Sequence, residues 1–255
     1  PIDSLFQLFL YAMTALAVVV FVALQKVNAG YGLMFNPRWG PTLPNRWGWV
    51  LMESPVFLAM AALWLCSSRR AEAAPLCFFL LFELHYFQRS FVFPFLLRGA
   101  SRMPLSIVAM GVFFNLLNAL MQGGWIFYLA PDGRYTPDWL ADPRFIIGTA
   151  VFFAGMGINW HSDRIIRHLR RPGDRNHYLP RGGMFRYVAS ANYLGELIEW
   201  CGFALLTWSL PGAVFALWTA ANLIPRAAAT HRRYTELFGE EYTRERRKRI
   251  IPFVY

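Results

Sequence analysis

Long apolar runs alternate with shorter polar segments along the whole chain. A helix needs about 20 mostly apolar residues to cross a bilayer, and seven runs approach or exceed that length. They lie at about 4–26, 47–66, 73–97, 103–122, 144–165, 187–208 and 210–230. The pattern therefore predicts an all-α polytopic membrane protein, a bundle of seven transmembrane helices.

The connections between these runs are short, with one exception. The segment "LAPDGRYTPDWLADPR" separates the fourth run from the fifth, and its Pro-Asp-Gly and Asp-Pro pairs are turn signals. The last two runs are joined by little more than Leu210-Pro211-Gly212, which predicts a tight hairpin. No internal repeat is evident, so we expect a single domain over 1–255.

Composition agrees with a membrane protein. Of 255 residues, 56% are hydrophobic and 16% are charged, whereas soluble domains are typically about 25% charged. The first apolar run is long enough to span, so we expect no cleavable signal peptide. We expect a multi-pass integral protein, in the inner membrane if bacterial or the endoplasmic reticulum if eukaryotic.

Basic residues are divided unevenly between the two sets of predicted loops. The poorer set contains Arg69, Arg70, Arg134 and Arg144. Because cytosolic loops are enriched in Lys and Arg, the amino terminus is predicted outside and the carboxyl terminus in the cytosol. Topology thus explains much of the net charge of +10, without nucleic acid as a partner. The dense segments 164–186 and 226–249 exceed this need, and bind either lipid headgroups or a phosphorylated ligand.

The cysteines and histidines suggest no metal site. Cys66, Cys77 and Cys201 lie in apolar runs without CxxC spacing, so we predict buried, unpaired side chains rather than zinc ligands or a disulfide framework. His161 and His231 have no companions at metal-ligand spacing.

Two of the predicted spans carry amide and carboxylate side chains one helical turn apart. Asn159 precedes Asp163 by four residues, and Asn192 precedes Glu196 by four, with Glu199 a turn further on. Carboxylates at membrane depth are costly and usually functional, although interhelical hydrogen bonds are the simpler explanation for any one pair. With nearby arginines, the whole set suits a ligand that has a carboxamide, ribose hydroxyls and phosphates, such as a nicotinamide dinucleotide.

The glycines near this set do not form a soluble dinucleotide motif. "GMG" at 155–157 lies within an apolar run with no strand before it, unlike the Rossmann turn. We predict instead that it permits close helix packing.

A second polar pair lies in the amino-terminal half. Glu53 and Tyr86 fall inside the second and third runs. A tyrosine hydroxyl held by a buried glutamate is suited to hydrogen-bond a substrate carbonyl and to supply a proton to it. A purely structural pair, Glu53 with Tyr86 or with Arg89, is the alternative.

Several longer stretches together resemble the steroid 5-alpha-reductase family. They are "LHYFQRSFV" (84–92), "GMGINWHSD" (155–163), "RRPGD" (170–174), "PRGGMFRYVASANYLGELIEWCGFALLTWSLP" (180–211) and "RRKRIIPFVY" (246–255). The resemblance covers most of the chain, is densest after residue 144, and points to a bacterial homologue of the mammalian enzymes.

The resemblance implies a seven-helix membrane enzyme that uses NADPH to reduce 3-oxo-Δ4-steroids to their 5α-reduced products, by hydride transfer to C5. It implies that the catalytic residues Glu53 and Tyr86 polarise the C3 carbonyl, with Trp49, Met52 and Trp200 also near the substrate. The helices of 1–143 would then face the substrate, which enters from the membrane, and 144–255 would bind the cofactor. The implied cofactor residues are Tyr31, Asn159, Asp163, Arg170, Asn192, Glu196, Arg226 and Tyr234.

The chain departs from the family pattern at three places. Met52 replaces a glutamine beside Glu53, which alters a substrate contact. His177-Tyr178 replaces a Tyr-Arg pair and removes one candidate phosphate ligand, for which Arg175 and Arg181 are substitutes. The stretch "AAATHRRY", with Thr230, replaces a His-rich segment.

Other functions remain open at this stage. An S-adenosylmethionine-dependent isoprenylcysteine methyltransferase-like enzyme would share a similar carboxyl-terminal cofactor region, and a reductase of another enone or sterol would keep NADPH. A transporter would explain intramembrane charges, but no inverted repeat is evident. The motifs do not determine the physiological substrate, the preference for NADPH over NADH or the oligomeric state, and a monomer is compatible with them.

Overall fold

The computed structural model describes residues 2–174 and 176–255, which are mostly helical. The helices are α1 Ile2–Lys26, α2 Asn45–Leu65, α3 Ala73–Phe87, α4 Phe93–Leu96, α5 Leu105–Gly124, α6 Pro143–His168, α7 Ala191–Thr207, α8 Leu210–Phe238 and α9 Glu240–Thr243. A π-helical segment, Gln88–Val92, joins α3 to α4, and a second one, Trp125–Leu129, extends α5.

Each predicted span coincides with a helical segment, but three boundaries were wrong. The fourth run, predicted to end at 122, continues to Leu129 through the π-helical segment. α7 begins at Ala191 rather than at 187, because Val188 instead forms a parallel bridge with Lys248. α8 continues to Phe238, beyond the predicted end at 230. In the described chain, four helical segments are long and apolar enough to cross a membrane: Ile2–Lys26, Asn45–Leu65, Ala73–Leu96 and Leu105–Leu129. This supports a membrane protein; the count of seven spans and the orientation stay predictions.

A short antiparallel ribbon departs from the all-α prediction. β1 (Thr42–Pro44) pairs with β2 (Arg102–Pro104), with Leu43 opposite Met103. Arg102 strengthens the pairing by donating from Nη2 to the Thr42 carbonyl at 2.6 Å. Three-residue strands that contain proline are too short to show a twofold hydrophobic period. Because each strand leads directly into a helix, the antiparallel ribbon ties the start of α2 to the start of α5 from its opposite ends.

Helices α6 and α7 pack backbone to backbone through glycines spaced seven residues apart. A Cβ at Gly155 would overlap the backbone nitrogen of Glu199, and one at Gly195 would overlap that of Asn159. Gly148 and Gly202 approach the opposite helix equally closely. Small residues allow such approach between membrane helices, so the packing prediction for "GMG" is confirmed at Gly155. It was wrong at Gly157, where a Cβ would meet open space.

The aromatic core lies where α3, α6, α7 and α8 meet. Its largest fully buried side chains include Phe78, Phe82, Phe152, Trp200 and Phe203. The two ends of the bundle also join here, because Trp218 of α8 donates its indole N–H to the carbonyl of Met13 in α1 at 2.8 Å. The first and last long helices are therefore direct neighbours.

Apolar side chains also cover much of the outer surface. In α1, Leu5, Leu8 and Val19 are each more than 60% exposed. Soluble monomers rarely expose such contiguous apolar surface, which agrees with contact to lipid. The three cysteines are unpaired as predicted, but Cys66 and Cys201 are exposed and Cys77 is half-buried, so the prediction of buried side chains was wrong. Their apolar runs reflect the outside of the bundle rather than its core.

Candidate active site

Arg89 links the two halves of the chain at the centre of the site. It lies in the π-helical segment Gln88–Val92, just before Pro94, whose missing N–H the widened turn accommodates. Its buried guanidinium donates from Nη1 to Asp163 Oδ2 at 3.0 Å and from Nη2 to Glu196 Oε2 at 3.3 Å. The same group lies over the rings of Trp49 and Phe93, at 4.8 and 4.7 Å.

The predicted amides complete this cluster. Asn192 Nδ2 donates to Asp163 Oδ1 at 3.2 Å, and Asn159 Nδ2 donates to the Asn192 carbonyl at 2.9 Å. Two carboxylates share the Arg89 guanidinium, and Arg167 and Arg226 act on them from further away. Buried charge requires partners, and acceptor oxygens in excess suit a ligand that donates N–H groups, as a carboxamide does.

Glu53 and Tyr86 lie close enough to interact electrostatically, but in the described structure no direct hydrogen bond joins them. Each is held instead by an asparagine of α5. Asn115 Nδ2 donates to Glu53 Oε2 at 3.0 Å and to the Met52 carbonyl at 2.8 Å. Asn118 Nδ2 donates to the Tyr86 hydroxyl oxygen at 3.2 Å. The hydroxyl therefore receives one bond and keeps its own proton for another acceptor.

Gln122 fixes the orientation of Asn118. Its Nε2 donates both to Asn118 Oδ1 at 3.4 Å and to the carbonyl of Pro211 at 2.9 Å. With its oxygen accepting from Gln122, the Asn118 amide must turn its NH₂ group toward Tyr86. A chain of hydrogen bonds thus runs from the start of α8 through α5 to Tyr86 on α3.

This chain of bonds gives a first testable prediction. Asn118→Ala keeps the Tyr86 hydroxyl but removes its donor, so we expect kcat for a reaction in which Tyr86 donates a proton to fall about tenfold, with KM little changed. Steady-state kinetics measure the two parameters separately. Asn222→Ala is the matched control, since within the described residues its amide donates to the Trp218 carbonyl of its own helix. An equal loss in both variants would contradict the role of Asn118.

A second buried pair supports the rings around Tyr86. His85 Nδ1 lies 2.8 Å from Glu199 Oε1, and both side chains are buried. The His85 ring packs edge-on against Tyr86 at 5.0 Å and Trp200 at 4.6 Å, and Trp200 lies 5.8 Å from Tyr86. Glu199 is therefore part of the wall of the site rather than a lipid-facing charge.

The other predicted substrate and cofactor residues on this side form an aromatic layer. Trp49 packs edge-on against Phe93 at 5.3 Å and Tyr31 at 6.2 Å. Arg226 lies over the Tyr31 ring at 3.9 Å and donates from Nε to the Tyr193 hydroxyl at 3.2 Å. Met52 is buried against the α5 glycine Gly111.

An open cavity of about 200 Å³ lies beside the Arg89 cluster. Its wall includes the predicted cofactor residues Arg170, Asn192 and Tyr234. It also includes Ser190, whose buried Oγ is without a hydrogen-bond partner in the described chain. Glu53 and Tyr86 are not among the described residues of this wall.

The structure thus arranges the predicted residues in four groups. Glu53, Tyr86 and Trp200 lie with the α5 amides; Asn159, Asp163, Asn192 and Glu196 lie around Arg89; Arg170 and Tyr234 line the cavity. Tyr31, Trp49 and Arg226 form the aromatic layer, and Met52 packs on α5. Of the two substitutes named for the lost phosphate ligand, Arg181 pairs with Glu241 and Glu245, and Arg175 lies outside the described residues.

Sequence reasoning missed the α5 amides and the roles of Arg89 and His85. The signal for the amides was present, since Asn115, Asn118 and Gln122 are spaced three and four residues apart and share one helix face. The sequence did not show which carboxylate would pair with Arg89. Three carboxylates compete for it, and helix packing determines which of them it contacts.

The fold and site together define a helical membrane enzyme whose polar site is enclosed between helices. A sequence profile described as 3-oxo-5-alpha-steroid 4-dehydrogenase matches residues 101–255. The chain is 41% identical to the 3-oxo-5-alpha-steroid 4-dehydrogenase 1 of Macaca fascicularis, over 96% of this chain and 92% of that protein. It is 43% identical to the Mus musculus protein of the same name, over 94% and 92%.

A plant relative is similar over nearly the whole length. The steroid 5-alpha-reductase DET2 of Gossypium hirsutum is 37% identical over 99% of this chain and 98% of that protein. The chain therefore belongs to the 3-oxo-5-alpha-steroid 4-dehydrogenase family, which is also called the steroid 5-alpha-reductases. The resemblance seen in the sequence and the assignment to the oxidoreductases are confirmed.

Proposed function

We propose that this protein reduces the Δ4 double bond of 3-oxo-Δ4-steroids, of the testosterone or progesterone type, with NADPH. The proposal depends on the Tyr86 hydroxyl, which accepts a hydrogen bond from Asn118 and so retains its own proton for another acceptor. The Glu53 carboxyl, held by Asn115, lies near it. Such a pair is suited to a carbonyl oxygen that gains negative charge as a bond forms elsewhere in the substrate.

The residues of this chain would bind and polarise the enone. Tyr86 and a protonated Glu53 carboxyl donate hydrogen bonds to the C3 carbonyl oxygen, and Tyr86 gives it a proton as C5 receives hydride. The resulting enol returns its O–H proton to the Tyr86 phenolate and takes up a proton from water at C4, which yields the saturated ketone. Trp200 and Trp49 wall the apolar steroid.

The donor and acceptor sets also fit a nicotinamide cofactor. When bound, NADPH supplies the hydride. The excess acceptors around Arg89 would hold the carboxamide, Ser190 and Asn192 offer partners for ribose hydroxyls, and Arg170 with Tyr234 lines the cavity that would take the phosphates.

The test is an assay of detergent-purified protein with testosterone or progesterone and NADPH deuterated at C4. Deuterium at C5 of a 5α-reduced product, read by mass spectrometry, would establish the reaction and the direct transfer. No product from a folded sample that binds NADPH would redirect the assignment to other enones or sterols. Binding of S-adenosylmethionine rather than NADPH would favour the methyltransferase-like alternative, for which the family match gives no support.

Cofactor placement gives a second prediction. Glu196→Ala removes one of the two acceptors that Arg89 contacts, and Arg170→Ala removes a cationic group of the cavity wall. Each should weaken NADPH binding about tenfold, since a hydrogen bond to a charged group contributes roughly 1.5 kcal/mol. Nucleotide fluorescence titration measures the affinity. Glu240→Ala, which alters an exposed ion pair with Arg244, is the control. Unchanged NADPH affinity in both site variants would contradict the proposed cofactor site.

The same proposal includes the seven-span topology. Polar residues such as Asn159, Asp163 and Glu196 lower the mean hydropathy of α6 and α7, but they face the Arg89 cluster rather than lipid. We place the amino terminus outside and the carboxyl terminus in the cytosol. Residues 1–143 would form the substrate side and 144–255 the NADPH side of one monomeric domain, with steroid entering from the membrane.

A further inference from the structure

Arg170 and His177 form a pair at one wall of the cavity. Arg170 donates from Nε to the Asn176 carbonyl at 2.9 Å, and its Nη2 lies 2.8 Å from His177 Nδ1. Both side chains line the cavity. Gly99 lies against the same guanidinium, because a Cβ there would come within 3.1 Å of Arg170 Nη1.

The Arg170 contact determines the charge of His177. Guanidinium nitrogens only donate hydrogen bonds, so His177 Nδ1 must accept, and the imidazole is neutral with its proton on Nε2. Protonation of Nδ1 would break this bond and place two cations side by side.

The groups that face His177 are mostly cationic. Arg170 on its own segment and Arg233 of α8 both act on it electrostatically. The nearby phenols are Tyr178 and Tyr234, and Tyr178 donates its hydroxyl to Asp174 at 2.9 Å. Partial burial, together with Arg170 and Arg233, lowers the pKa of His177 below its ordinary value. A neutral histidine between arginines at a cavity wall becomes a favourable cation once an anion lies against it.

We propose that His177, together with Arg170, binds a phosphate group of the nucleotide and takes up a proton when it does so. The inference rests on the proposed use of a nicotinamide dinucleotide, and it names a residue that the family pattern does not supply, since His177-Tyr178 departs from that pattern. A phosphate would offset the charges of Arg170 and of a protonated His177. Affinity therefore rises as pH falls through the range in which His177 becomes protonated only in the complex.

The test is the pH dependence of NADP⁺ binding to the full-length protein in detergent, by calorimetry between pH 8.0 and 6.5. Over this range a phosphate monoester is mostly dianionic, since its second pKa is about 6. Uptake of one proton permits at most about a tenfold gain in affinity for each pH unit, and we expect about a fivefold gain across the range. Titration in two buffers of different ionisation enthalpy counts the protons taken up.

The variants separate this effect from general loss of structure. His177→Gln retains a side-chain acceptor for Arg170 but does not titrate, so the gain in affinity and the proton uptake should both disappear. His168→Gln is the matched control, because His168 is bonded to the Arg164 carbonyl within α6; it should behave as the unaltered protein does. Equal pH profiles for the unaltered protein and His177→Gln would overturn the inference while leaving NADPH use intact.

A parallel titration with NAD⁺ identifies the phosphate. Proton uptake with both nucleotides would assign His177 to the pyrophosphate, and uptake with NADP⁺ alone would assign it to the 2′-phosphate and make it a determinant of cofactor choice. If neither nucleotide binds a folded sample at any pH, the proposed function fails, and this inference fails with it.

Discussion

Tyr86→Phe is expected to lower kcat for steroid reduction about 10²–10⁴-fold, the usual contribution of a positioned proton donor. The ring would keep its contacts with His85 and Trp200, and Asn118 would lose only an acceptor. The C3 oxygen would then gain negative charge with no donor beside it. NADPH affinity should stay within about twofold, because the acceptors around Arg89 are untouched.

Kinetics and binding must be measured on the same preparation to test this. Tyr128→Phe is the matched control, since that exposed hydroxyl donates to the Leu63 carbonyl away from the site; its kcat should be unchanged. If Tyr86→Phe weakens nucleotide binding as much as it slows turnover, Tyr86 is not the proton donor. Glu53→Gln, which keeps an acceptor for Asn115, should give a smaller loss than Tyr86→Phe.

Gly155→Ala is expected to destabilise the bundle by about 1–3 kcal/mol, the usual cost of overpacking. The added methyl group would overlap the backbone of Glu199, which no rotamer change relieves, so α6 and α7 must separate. Asp163 and Asn192 lie on these two helices and are joined directly, so separation should also weaken nucleotide binding.

Two residues along the same helix provide the control. Gly157→Ala places its methyl group in open space, and should leave stability unchanged or slightly higher, because alanine favours helix over glycine. Thermal unfolding in detergent, followed by tryptophan fluorescence, compares the two variants. A Gly155→Ala protein that is as stable as Gly157→Ala would show that the close approach of α6 and α7 is not required.

The hydrophobic pattern was enough to predict every long helix, because each buries or exposes apolar residues over a length that no strand reaches. A predicted helix boundary was wrong where another contact replaced helix formation, as at Val188. The β1–β2 ribbon was not predictable, since its three-residue strands are held by Arg102 and by the helices that follow them rather than by a hydrophobic period.

Within the candidate site, spacing along single helices predicted which side chains share a face, and Asn159, Asp163, Asn192 and Glu196 did come together. Pairings between helices were beyond such reasoning. Asn115 rather than Tyr86 holds Glu53, and Arg89 takes Asp163 and Glu196 rather than Glu53, because contacts across helices depend on their relative height and rotation. Those are set by glycines such as Gly155 and Gly195 and not by the polar residues themselves.

The bond from Trp218 to Met13 has a consequence for biogenesis. Synthesis proceeds at about 5–20 residues per second, so α1 must remain in the membrane for roughly 10–40 seconds before its partner α8 has been made. Over that interval the exposed apolar face of α1 can contact lipid, but the side of α1 that later packs on α8 has no protein neighbour. The bundle can therefore be completed only after α8, its last long helix, has been made.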